Sequence, residues 1–153
     1  MRLAATLALC CTLLACATAP TPATPAPSGY DPALAQRLGA DERGMRQYVL
    51  VILKTGPATN LSDEERTRLF NGHMANIGRL AEEGRLVVAG PLGANERQYR
   101  GIFILTVTTI EEAAALVVTD PAVAAGVFAY EAYPWYGSAA LMELPAIDAR
   151  LQR

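Results

Sequence analysis

Four short apolar runs rich in β-branched residues, separated by two helical stretches, follow one another in the order β-α-β-β-α-β. A chain with that order has few ways to close. Residues 47–54 (QYVLVILK) read as a strand buried on both faces, ended by Gly56-Pro57. Ser62 and Glu65 then form the S-x-x-E signature of a helix start, with Asp63 and Glu64 suited to the positive end of the helix dipole. Phe70, Met74, Ile77 and Ala81 recur at helical spacing and predict the buried stripe, and Gly84 stops the helix. Residues 86–89 are a second strand ended by Gly90-Pro91, and residues 99–108 (YRGIFILTVT) a third, close enough to form a hairpin. Thr108 and Glu111 predict the cap of a helix running through Val118, and Asp120-Pro121 opens a further turn. Residues 127–136 (VFAYEAYPWY) are the fourth strand, and residues 140–144 are expected to add a short fifth. Pro134 lacks a ladder donor, so the end of strand four belongs at a sheet edge or a bulge.

This order is that of two split βαβ units, an α+β fold of the ferredoxin-like kind. Right-handed crossovers put both helices on one face of a four-stranded antiparallel sheet. The other face is then bare, yet strands one, three and four are nearly continuously apolar, where a wet face would alternate. A second copy covers such a face most economically, so a homodimer, a dimeric α+β barrel, is expected.

Ahead of the domain, Arg2 and the apolar run from Leu3 to Ala15 resemble a signal peptide, since about 13 residues are too few to span a bilayer. The run ends in Leu13-Leu14-Ala15-Cys16, which resembles a bacterial lipobox with Cys16 as the lipid-modified residue. Ordinary secretion is the competing reading, because Ala15-x-Ala17 and Ala17-x-Ala19 are A-x-A cleavage signals. Residues 1–16 are therefore expected to be the signal and residues 17–29, with four prolines, an extended linker. A short helical segment at 30–45 follows, bounded by Asp31-Pro32 and Gly39, then the domain at 46–144 and a tail at 145–153. The expected location is the cell envelope, lipid-anchored on the periplasmic or outer-membrane side, or otherwise free in the periplasm.

All three cysteines lie in the first 16 residues and the chain has one histidine, which makes a protein-built zinc site a poor expectation. No metal and no cofactor is expected. A net charge of −2 with scattered basic residues argues against a nucleic-acid surface.

His73 borders the predicted stripe, about 60° from Phe70 on a helical wheel, and is near enough to neutral pKa to exchange a proton. From spacing alone, a boundary residue bonded to the backbone is the favoured reading. Asp120 is a favoured N-cap before proline, but one carboxylate oxygen can cap while the other orients an imidazole. Glu131, inside an apolar strand, would line a pocket if it points inward. Arg79, Arg85 and Arg100 are candidates to hold an anionic substrate, with surface solvation the alternative for each.

Gly72-His73-Met74, the run from Glu83 to Pro91, Glu111-Glu112-Ala113, Asp120-Pro121 and Pro134-Trp135 together resemble the YCII-related family across about residues 46–142. The resemblance implies a ferredoxin-like fold that dimerises through its sheets, and an active site built from His73 and Asp120. Related dimeric barrels include lactone isomerases and a dehydrochlorinase acting on small ring compounds. Two readings follow. One is an acid/base enzyme of isomerase or lyase type, using His73 and Asp120 on a small, partly apolar molecule, with Arg100 and Glu131 in substrate binding. The other is a non-catalytic dimeric module that binds a small ligand or associates with the envelope.

Overall fold

A computed structural model describes residues 29–151 of the 153-residue chain. The signal and lipobox assigned around Cys16, and all of the linker but Gly29, lie outside the described residues. No helix among the described residues is long and apolar enough to cross a membrane.

The domain opens with α1 (Pro32–Leu38), capped by the Asp31 side chain on the Leu34 N–H at 3.0 Å and closed by Gly39 at φ 65°. The sheet is built from β1 (Met45–Thr55), β2 (Leu86–Pro91), β3 (Tyr99–Leu105) and β4 (Phe128–Ser138), in the order β2-β3-β1-β4 with every pairing antiparallel. The crossovers carry α2 (Asp63–Glu82) and the pair α3 (Ile110–Val117) and α4 (Pro121–Ala124). This is the ferredoxin-like βαββαβ arrangement. Pro134 lies on β4, an edge strand, where a missing donor is tolerated.

Side chains alternate across each strand. Val49, Val51 and Leu53 of β1, with Phe103 and Leu105 of β3, meet Leu80 of α2 and Ala113 and Val117 of α3 in the main core. The opposite face carries Tyr48, Val87 and Ile104, against which Leu50, Val88, Trp135, Leu141 and Met142 pack.

Four sequence expectations need correction. Residues 139–143 form a 3-10 helix, not a fifth strand; the Ser138 hydroxyl accepts the Ala140 N–H at 3.2 Å, and Ala, Leu and Met favour helix over strand. This helix, which leads into α5 (Leu144–Asp148), explains a second difference: the sheet face expected to be bare is partly covered by the chain's own Leu141 and Met142. The capping box of α3 is Thr109 with Glu112, one residue later than expected, a frame that turns both Ala113 and Val117 into the core. Finally, α2 buries Leu69, His73, Asn76 and Leu80, while Phe70 and Met74 stay 55% and 50% exposed. The helix is rotated by about one residue, roughly 100°, from the stripe read in the sequence.

Candidate active site

The rotation of α2 carries its one histidine from the margin of the core to the middle of the buried row. Asp120 arrives from the other crossover as the N-cap of α4, where Oδ1 accepts the Ala122 N–H at 2.8 Å. Its Oδ2 lies 2.5 Å from His73 Nδ1. Asp120 is fully buried, and His73 is only 7% exposed. A buried carboxylate is tolerated only when its oxygens are satisfied; here the cap takes one oxygen and the imidazole the other. With Nδ1 committed to the carboxylate, Nε2 is the ring atom left to exchange a proton, and it has no hydrogen-bond partner among the described residues.

Close approach of two helices makes the pair possible. A Cβ on Gly72 would fall 2.9 Å from Cγ of Pro121, so no larger residue fits without moving α4. Gly72 and Pro121 are the chain neighbours of His73 and Asp120, so their contact sets the spacing of the pair.

The chain has three phenylalanines, and all three surround this imidazole: Phe128, Phe70 and Phe103, with ring centroids 5.1, 6.0 and 6.0 Å away. They come from β4, α2 and β3. The ring opens onto a cleft of about 380 Å³ between α2 and the sheet, walled also by Leu53, Met74, Ile77 and Pro91. The row Phe70, Met74, Ile77, read from the sequence as core, is thus a cleft wall; its half-exposed phenylalanine and methionine are what an apolar ligand would cover.

The other expected site residues divide. Arg100 lines the cleft with His73. Glu131 does not: it sits on the opposite sheet face, paired with Lys54 Nζ at 2.6 Å and accepting the Tyr133 hydroxyl at 2.9 Å. Alternation explains it, because Tyr130 and Ala132 on either side of it pack on the helix-side core. The two hydrogen bonds, Lys54 first, hold the Glu131 carboxyl below its ordinary range, and Glu131 in turn holds Lys54 above its own. Arg79 is occupied by Glu83 at 2.8 Å and by Asn76 and Thr119, a network that ties α2 to the residue before Asp120. Neither the phenylalanine cage nor Asn76 was foreseen. The one available signal was that all three phenylalanines fall on elements meeting at one end of the sheet.

Fold and site together define a ferredoxin-like α+β domain whose buried carboxylate fixes an imidazole at the base of an apolar cleft. The family model of the YCII-related domain matches residues 47–136, more than half of the chain. The chain belongs to the YCII-related domain family. No curated protein matches it. Among solved structures, it is similar to the 5-chloro-2-hydroxyhydroquinone dehydrochlorinase of Burkholderia phenoliruptrix AC1100, determined with 2,5-dihydroxybenzoquinone. The two are 25% identical, the match covers 57% of this chain and 92% of that one, and the TM-score is 0.44.

Proposed function

We propose that this domain is an acid/base enzyme of isomerase or lyase type, acting on a small, partly apolar molecule bound over His73. The observation that carries the reading is the Nδ1–Oδ2 contact of 2.5 Å between His73 and a fully buried Asp120, at the base of an apolar cleft. Asp120 holds the proton on Nδ1, so the Nε2 lone pair is available to the ligand. Nε2 takes a proton from an acidified C–H or O–H of the ligand, and the imidazolium formed is balanced by the Asp120 carboxylate. Returning that proton to another atom completes an isomerisation, and loss of a leaving group completes an elimination. Positioned acid–base catalysis contributes on the order of 10²–10⁴-fold.

The test is a screen of small lactones and of hydroxylated or halogenated rings, with product formation and deuterium uptake from heavy water followed by NMR. Wild type should turn over one class, and Asp120→Asn should lose most of that rate while staying folded. Turnover that survives both Asp120→Asn and His73→Asn would remove the pair from the mechanism. The same proposal has the domain working outside the cytoplasm on a lipid carried by Cys16; Cys16→Ser should then release it from membranes, and unchanged membrane association would overturn that part.

A further inference from the structure

The strand that forms one wall of the cleft breaks its own alternation at one residue. Along β1 and β3, Leu53 pairs with Gly101 and Lys54 pairs with Tyr99, which leaves Arg100 as the extra residue of a bulge. A bulge re-aims a side chain that regular pleating would send elsewhere. Tyr99 stays with the opposite face, its hydroxyl 3.5 Å from Glu131, while Arg100 joins Gly101 in lining the His73 cleft.

Arg100 also lines a second hollow of about 490 Å³ that shares Phe70, Pro91 and Phe128 with the first. Arg66, from the first turns of α2, lines this second hollow. Among the described residues, no carboxylate lines either one. Arg100 makes no side-chain hydrogen bond or ion pair among the described residues, and Arg66 only donates to the Thr59 carbonyl at 3.2 Å. By contrast, Arg37 and Arg79 have carboxylate partners within 2.8 Å. Two guanidinium groups without counter-charges, beside an aromatic chamber holding one imidazole, make a bipartite site. The apolar part takes a ring, and the cationic part takes an anion.

We infer that the ligand is an aromatic or other flat-ring organic acid, its ring among the phenylalanines over His73 and its carboxylate or equivalent oxyanion on Arg100 and Arg66. This rests on the proposed use of the cleft and adds the chemical class of the ligand. Guanidinium is the side chain suited to such a group, because its fork matches a carboxylate two bonds at a time. It also gives the site a direction: an acid anchored at the arginines presents the far side of its ring to Nε2.

The test is binding, independent of turnover. The full-length chain is titrated calorimetrically with 4-hydroxybenzoate and with 4-hydroxybenzyl alcohol, which share a ring and differ in charge. The acid should bind at least tenfold tighter (about 1.4 kcal/mol). That preference should shrink with added salt and vanish in Arg66→Gln/Arg100→Gln, whose exposed side chains the fold does not need. It should persist in Asp120→Asn. Equal binding of the two probes, no binding of either at millimolar concentration, or a preference unchanged in the double variant would each overturn the inference. Preference without turnover would count against the enzyme reading alone, and turnover without preference against this one alone.

Discussion

His73 and Asp120 are 47 residues apart in the chain, and their contact depends on two neighbours as much as on themselves. Gly72→Ala adds a methyl where Pro121 already stands, so α4 must yield and the imidazole–carboxylate contact lengthens. The variant should fold and lose turnover, and a crystal structure showing the Nδ1–Oδ2 distance unchanged would count against that role for Gly72. Asp120→Asn is a sharper probe. Asparagine can still accept the Ala122 N–H, but it offers its N–H₂ to Nδ1 and so drives the imidazole proton onto Nε2, the atom our proposal uses as base. We expect a rate loss on the order of 10²–10⁴ with the melting temperature nearly kept. His73→Ala is less clean, because it leaves the buried Asp120 carboxylate without its partner, at a cost of about 3–5 kcal/mol. Residue types at this scale were legible: a sole histidine, and an aspartate before proline. Distance was not, since nothing in the spacing of two residues on separate crossovers says that their side chains meet.

Elements were legible in order and mostly in extent, because each strand and helix carries its own period and its own stop signals. What failed was phase. Phe70, Met74 and Ile77 outweigh Leu69, His73, Asn76 and Leu80 in hydrophobicity, yet packing chose the second row and left the first to wall a cleft. Leu80→Ala should therefore cost about 2–5 kcal/mol by denaturant unfolding, whereas Met74→Ala should cost far less and instead weaken ligand binding. The cap of α3 shows the same error by one residue, with a consequence in pH. Glu112 accepts first from the Thr108 N–H and also from Thr109, and these bonds hold its carboxyl below the ordinary carboxylate range. A carboxyl depressed by folding stabilises the domain above its unfolded pKa, and that contribution is lost as pH falls through the lower folded one. Glu112→Gln should accordingly be less stable near pH 7 and lose less than wild type on going to about pH 4, read from urea midpoints at the two pH values. Equal losses would remove Glu112 from the acid limb.

At the scale of the molecule, the apolar strands that led to the expectation of a homodimer are partly accounted for within one chain. Leu141 and Met142 of the 3-10 helix pack on the sheet face around Tyr48, Ile104 and Trp135. The composition of residues 140–144 (ALMEL) already favours helix over strand, but nothing in it says against which surface that helix packs. What remains open is the other end, where Ile52 and Ile102 stand cross-strand from each other and Tyr133 is 47% exposed, beside the Lys54–Glu131 pair. Our proposal that a second copy covers this face is therefore confined to that half. A charge pair inside such a contact adds little affinity but penalises any register that separates it, so it would set the alignment of two copies more than the strength of their association. The expected outcome is a dimer at micromolar concentration by sedimentation. Ile52→Glu should convert it to a folded monomer, because the new carboxylate would lie in the apolar contact, cross-strand from Glu131. A wild-type chain that sediments as a monomer would overturn the proposal, as would a dimer indifferent to Ile52→Glu. Neither result would bear on the His73–Asp120 contact, which is made within one chain on the opposite side of the same sheet.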